Sequence, residues 1–93
     1  MMYVVLVYDI SVEENGARVM RNAFKICKKY LTHIQKSTFE GELNEAKLVK
    51  LHSELKEHIR KDLDSLIIFK SENNKWMEKE FWAKTDEKTS NFF

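Results

Sequence analysis

A chain of 93 residues, 43% hydrophobic and 33% charged, suits one compact α/β-sized domain and leaves room for a single core. Sixteen basic against fifteen acidic side chains leave a formal net charge of +1, so composition alone gives no reason to expect nucleic acid as a partner. The lone cysteine, Cys27, excludes an internal disulfide and reads as a small core residue; no run reaches the roughly 18 apolar residues that cross a bilayer, and the start MMYVVLV lacks a basic leader, so the expected location is the cytoplasm with no membrane contact.

Met2–Asp9 is dense in Val, Leu and Tyr without polar alternation until its last residue, the pattern of a central strand covered on both faces. Alternation sends Val4, Leu6 and Tyr8 to one side and Tyr3, Val5, Val7 and Asp9 to the other. The following SVEENGARVMRNAFKICKKYL carries Met20, Phe24, Cys27 and Leu31 at helical spacing, with Ala23, Ile26 and Tyr30 beside them, and predicts a first helix. Its start falls anywhere in 12–17: Ser11 and Glu14 have capping-box spacing, and Asn15-Gly16 is an alternative start. Arg18, Arg21, Lys25, Lys28 and Lys29 fall on the opposite side, which gathers five positive charges that the overall balance conceals.

THIQKSTFEGEL is rich in β-branched and aromatic residues and too short for a further helix, so two short strands are expected at 32–36 and 38–43, with a bulge or bend at Gly41. A second helix begins after Asn44 as N-cap, with Leu43 and Leu48 at hydrophobic-staple positions; Leu48, Leu51, Leu55 and Ile59 form its buried stripe, and it ends near Lys61. DSLIIFK predicts a fourth strand at 65–70, and WMEKEFWAK is a candidate fifth.

The order β-α-β-β-α-β is that of an α+β, ferredoxin-like domain spanning 1–70, with both helices on one face of an antiparallel sheet and a C-terminal extension at 71–93. If Val4, Leu6 and Tyr8 pack under the helices, Tyr3, Val5 and Val7 leave the other face apolar. Such a face usually marks an interface, and a homodimer whose two-fold axis passes close to the strand end would bring Asp9 near its own symmetry mate.

Asp9 has two readings: a cap that accepts loop N–H groups, or a metal ligand. Arg18, Arg21 and Lys25 are either an ordinary solvated surface or contacts to phosphates. His33, His52 and His58 lack metal-ligand spacing and read as surface residues, and Trp76 and Trp82 read as packing against a partner chain rather than stacking on bases. Ser11 and Ser37 have no histidine placed for nucleophilic catalysis, and no glycine loop suits a phosphate.

YVVLVYDIS at 3–11, HIQKSTFEGEL at 33–43 and DSLIIFK at 64–70 together resemble the small CRISPR-associated "protein two" nucleases of prokaryotic adaptive immunity, in the right order and spacing over about the first 70 residues. The resemblance implies a homodimer in which the C-terminal strand of one subunit extends the sheet of the other. It implies a role in spacer acquisition, the dimer bridging copies of a CRISPR-associated integrase with double-stranded protospacer DNA across the assembly. It also implies Mg²⁺-dependent, or Mn²⁺-dependent, endonuclease activity on single-stranded RNA or double-stranded DNA, with Asp9 at the family's metal-binding and catalytic position, and it favours duplex contact by Arg18, Arg21 and Lys25. The chain departs from the family pattern at His33-Ile34-Gln35, where a basic residue is usual, and at Leu31-Thr32, where a glycine is usual.

Mg²⁺ takes six oxygen ligands and keeps several waters, so one carboxylate from each of two subunits with waters and a substrate phosphate makes a complete set, whereas a lone Asp9 does not. Without metal, two such carboxylates repel and titrate in coupled steps. Three functions follow for testing: a metal-dependent endonuclease of the adaptation machinery, a DNA-bridging scaffold without catalysis, and a toxin-like ribonuclease of the same fold.

Overall fold

The computed structural model describes residues 1–72, Glu80 and Trp82. The elements run β1 (Met2–Asp9), α1 (Gly16–Tyr30), β2 (Thr32–Gln35), β3 (Thr38–Leu43), α2 (Glu45–Lys56) and β4 (Ser65–Ser71). The strands form an antiparallel sheet in the order β2-β3-β1-β4, the ferredoxin-like arrangement expected from the sequence. Most of the extension at 71–93, including Trp76 and all of the candidate fifth strand WMEKEFWAK except Glu80 and Trp82, lies outside the described residues. Trp82 is 90% exposed, and its Nε1 donates to Glu80 Oε1 at 2.9 Å.

The core lies between the sheet and the two helices. Val4, Leu6 and Tyr8 of β1 are buried, as their alternation requires, together with Phe39 and Leu43 of β3 and Leu48, Leu51 and Leu55 of α2. Asn44 Oδ1 accepts the Lys47 N–H at 2.8 Å, and Leu43 and Leu48 are both buried, so the cap and the flanking apolar pair are those predicted for α2. Cys27 is buried at 0% exposure, and burial pushes its thiol up to about 12, which makes it an inert core side chain.

Three local expectations are corrected, and one left open is decided. The buried stripe of α1 is rotated from the predicted one: Val19, Ala23, Ile26 and Cys27 face the core, while Met20 is 41% exposed and Phe24 only half-buried. The helix fits Val19 rather than the longer Met20 against the sheet. Of the two starts the sequence leaves open for α1, the Ser11–Glu14 capping box does not form and Asn15-Gly16 does: Asn15 is the N-cap in a left-handed conformation (φ 64°) without a side-chain cap, and Ser11 Oγ accepts from the Glu13 N–H at 3.1 Å. The strand irregularity lies in β2 between His33 and Gln35, not at Gly41, which pairs regularly with Val4. Gly41 has a packing reason: a Cβ there would lie 3.0 Å from Leu31 Cδ2. Finally, α2 stops at Lys56 rather than near Lys61: the Glu57 and His58 N–H groups donate to carbonyls three residues back, at Glu54 and Leu55, and the Arg60 N–H donates to Asp64 Oδ2 at 2.9 Å.

The loop between β1 and α1 is drawn tight. A Cβ on Gly16 would stand 1.9 Å from the Ser11 carbonyl oxygen, which is backbone and has no rotamer by which to yield. Gly16→Ala should therefore cost about 3 kcal/mol through forced backbone displacement. Thermal unfolding checks this: the expected fall in Tm is on the order of 10–20 °C, and an unchanged Tm would mean the loop relaxes freely.

Candidate metal and nucleic-acid site

Asp9 closes β1 opposite Ser65 of β4, at the point where the strand leaves the sheet. One residue back, the Tyr8 N–H donates to the Ser37 carbonyl at 3.1 Å and ties this end of β1 to the β2–β3 turn. That turn has its own brace. Lys36 sits at φ 41°, and His33 Nε2 lies 2.8 Å from the Lys36 carbonyl, to which it can only donate. The His33 ring packs 5.0 Å from the Phe24 and Phe39 centroids, so His33 is half-buried and structural rather than the surface residue expected. His58 is also half-buried, its Nδ1 3.4 Å from Asn22 Nδ2; His52 alone of the three is exposed.

The loop after Asp9 is clamped by a pair that sequence reasoning missed. Asp64, whose side chain is fully buried, accepts from Arg60 Nε at 2.8 Å and Arg60 Nη2 at 2.9 Å, from the Arg60 N–H and from the Ser11 N–H, each at 2.9 Å. The remaining guanidinium hydrogens go to loop carbonyls: Nη2 to Ser11 at 2.9 Å, Nη1 to Glu13 at 2.7 Å and to Glu14 at 2.5 Å. All five Arg60 side-chain donors are thereby used, and both Asp64 oxygens accept two bonds. The Arg60 guanidinium holds the Asp64 carboxyl well below its usual range, at about 2, with the Arg60 and Ser11 N–H groups adding to the effect against the cost of burial. A signal existed in the sequence: an Arg and an Asp four apart directly before a strand.

This arrangement leaves Asp9 out of the capping of the loop. The cap for the loop is Asp64, arriving from the other side of β1, and among the described residues no hydrogen bond is made to the Asp9 carboxylate, which is exposed. No group of three or more His, Cys, Asp or Glu gathers there among the described residues. One protomer thus supplies one free carboxylate, which fits a Mg²⁺ ion only as half of a shared set with waters completing the octahedron.

Asp9 shares its sheet face with an apolar patch. Val5 lies directly across from Phe69 and Val7 from Ile67; Phe69 is 53% and Ile67 48% exposed. Beside them the Tyr3 hydroxyl donates to Glu40, which is buried on the same face; burial first, and then the Glu40 carboxylate, hold the Tyr3 proton well above its usual range. Arg18, Arg21 and Lys25 are all exposed along α1, and Arg21 and Lys25 border a hollow with Met20 and Phe24, whereas Arg18 does not. Lys29, by contrast, is paired with Glu54 and is not available in the same way.

With this geometry in place, the family model for CRISPR associated protein Cas2 matches residues 2–79. The chain belongs to the Cas2 family. It is 57% identical over 91 residues, covering 98% of this chain and 86% of the relative, to the CRISPR-associated endoribonuclease Cas2 of Fusobacterium nucleatum subsp. nucleatum. It is 34% identical to CRISPR-associated endoribonuclease Cas2 2 of Moorella thermoacetica over 95% of this chain and 98% of that one. A crystal structure of Cas2 superposes with a TM-score of 0.78 at 32% identity, covering 92% of this chain and 91% of that one, and Streptococcus pyogenes Cas2 at pH 6.5 does so at 0.73 and 26%, covering 87% and 99%. The resemblance read from the three motifs is therefore correct, and the Cas2 relatives carry the name endoribonuclease. No helix among the described residues is long and apolar enough to cross a membrane.

Removing one partner of the clamp leaves a buried charge without its counter-charge, so Asp64→Ala should lose about 3–5 kcal/mol. The pH dependence has a definite sign. Because the folded Asp64 sits at about 2 against an ordinary 3.8, its stabilisation is present above pH 3.8 and disappears as pH falls towards 2. Denaturant midpoints measured across that window should fall for the wild type and fall less steeply for Asp64→Asn; parallel curves would remove Asp64 as the cause.

Proposed function

We propose that the chain acts as a homodimeric, metal-dependent endonuclease of CRISPR adaptation, with the Asp9 carboxylates of two copies sharing one Mg²⁺ or Mn²⁺. The observation that carries this reading is the exposed Asp9 carboxylate at the rim of an apolar sheet face, without a hydrogen bond among the described residues, while the Ser11 N–H of the following loop is taken by Asp64. A second copy laid on Val5, Val7, Ile67 and Phe69 would bury surface that is costly to leave in water. It would bring a second Asp9 to the same edge if the two-fold axis lies near the strand end.

In this reading Asp9 holds the ion, and the clamp keeps the Asp9 backbone from drifting. Lys36, at the turn tied to β1, and the exposed cations of α1 fix substrate phosphates near it. When bound, Mg²⁺ supplies positive charge against the phosphate and lowers the pKa of water. Substrates are the phosphodiester bonds of single-stranded RNA or double-stranded DNA, and the setting is the cytoplasm. The row Arg18, Arg21 and Lys25 also supports a second reading, a scaffold that bridges a CRISPR-associated integrase and protospacer duplex without cutting.

Cleavage assays of purified protein with Mg²⁺ or Mn²⁺ test the first reading. Asp9→Asn should slow cleavage roughly 10²–10³-fold, the size seen when one charge-stabilising group is removed from an active site. Cleavage that survives the substitution refutes the assignment. Spacer acquisition in cells tests the second: a pure scaffold keeps acquisition in Asp9→Ala, and loss of acquisition with the dimer and integrase contacts intact excludes it.

A further inference from the structure

Met20 and Phe24 sit at the edge of the core, where Phe24 packs on Phe39 and His33 and stays only partly buried. Their spacing in the sequence puts them on the buried stripe of α1, yet Met20 is 41% exposed and Phe24 half-buried, while Val19 takes the core position. Two hollows meet at this pair. The first, about 300 Å³, is bordered by Asp9, Ile10, Met20, Phe24, Lys36 and Ser37; the second, about 430 Å³, lies between Met20, Phe24, Arg21 and Lys25. Both fall within or near the lower part of the size range in which proteins seat small ligands. The second is walled almost wholly by carbon, to which the stems of Arg21 and Lys25 contribute while their charged ends reach water.

The charge pattern selects the occupant. Lys36 stands at one end and Arg21 and Lys25 at the other, with the Lys28 ammonium 5.9 Å from the Phe24 ring centroid; Asp9 is the one acidic group bordering either hollow. An apolar slot with cations at both ends complements a flat aromatic group tethered between two phosphates. In a duplex the bases are stacked inside and present no such group, whereas an unpaired nucleotide can turn its base outward.

We propose that the Met20–Phe24 cleft seats an unpaired nucleobase of single-stranded nucleic acid, with Lys36 and Arg21 on the flanking phosphates, and so delivers the adjoining phosphodiester to Asp9. This deepens the nuclease reading by assigning a base-binding cleft beside the reacting phosphodiester, and rests on that reading only for the role of Asp9. The base is held chiefly by ring and thioether contact with Phe24 and Met20, so the site discriminates unpaired from paired strands and tolerates all four bases.

Binding measured by fluorescence anisotropy in EDTA, where no cleavage occurs, tests it with three probes: a short single-stranded RNA, the same strand with abasic positions, and a DNA duplex. Met20→Ala and Phe24→Leu should each weaken binding of the intact single strand about tenfold, within the range for loss of one stacked base. Wild-type protein should bind the abasic strand as weakly as the variants bind the intact one, and duplex affinity should not change. Met20 lies outside the buried core cluster, so Met20→Ala should keep the fold, which its melting temperature checks, and the test survives even if Phe24→Leu is unstable. Unchanged single-strand affinity in Met20→Ala, equal affinity of wild type for intact and abasic strands, or an equal loss on the duplex would overturn the proposal. Since metal is absent, these results are independent of whether Asp9→Asn abolishes cleavage, and either reading can fail alone.

Discussion

The buried ion pair between Arg60 and Asp64 is the constraint on which the functional end of this molecule rests. A buried pair of this kind is poor evidence for stability by itself, because desolvation offsets much of its Coulombic attraction. Its value here is geometric. Arg60 gathers the carbonyls of Ser11, Glu13 and Glu14, and Asp64 takes the Ser11 N–H, so four peptide groups of one loop are referred to a single rigid fork. Glu14 and Asn15 adopt positive φ under that restraint, at 47° and 64°, and Gly16 is the residue that can pass within contact of the Ser11 carbonyl. The pair also joins the α2–β4 connection to the β1–α1 loop, linking the two ends of the domain next to Asp9.

Division of labour between two aspartates follows from this. Asp64 is buried, fully bonded and held ionised far below neutral pH; Asp9 lies nearby in the chain's folded path, exposed and without a bond from the loop. Had Asp9 been the cap, its lone pairs would have been spent on N–H groups and its affinity for a cation reduced. The same logic applies on the other flank, where His33 and the Tyr8 N–H fix the β2–β3 turn and leave the Lys36 side chain to solvent. Rigid backbone and free side chains are the combination a charged site needs.

Much of the fold was legible because its signals are local. Period-two burial in β1, the Asn44 cap and the Leu48, Leu51 and Leu55 stripe each follow from a few adjacent residues, and β3 runs over the predicted 38–43. The misjudged features depend on partners distant in sequence. Whether Val19 or Met20 faces the sheet depends on how α1 seats on the shared core, and the turn after α2 is held by Arg60 and Asp64 meeting the β1–α1 loop, with Asp64 bonded to Ser11 53 positions earlier. Glu40 reads as an exposed strand residue until the Tyr3 hydroxyl, 37 positions away and one same-face pair along the ladder, reaches it. For the candidate site, Asp9 and the cations of α1 were visible as residue types at suggestive positions, but the cleft between them was not, since it is made by the rotation of α1 and the β2–β3 turn together.

The central claim is that the clamp leaves Asp9 free to bind a divalent cation jointly with a second copy of the chain. Paramagnetic broadening of backbone amide signals on titration with Mn²⁺ tests it most directly. The account predicts broadening centred on the amides of Asp9 and Ser65, saturating at one ion per two chains, and absent in Asp9→Asn. Saturation at one ion per chain, or broadening centred elsewhere in the domain, would contradict it.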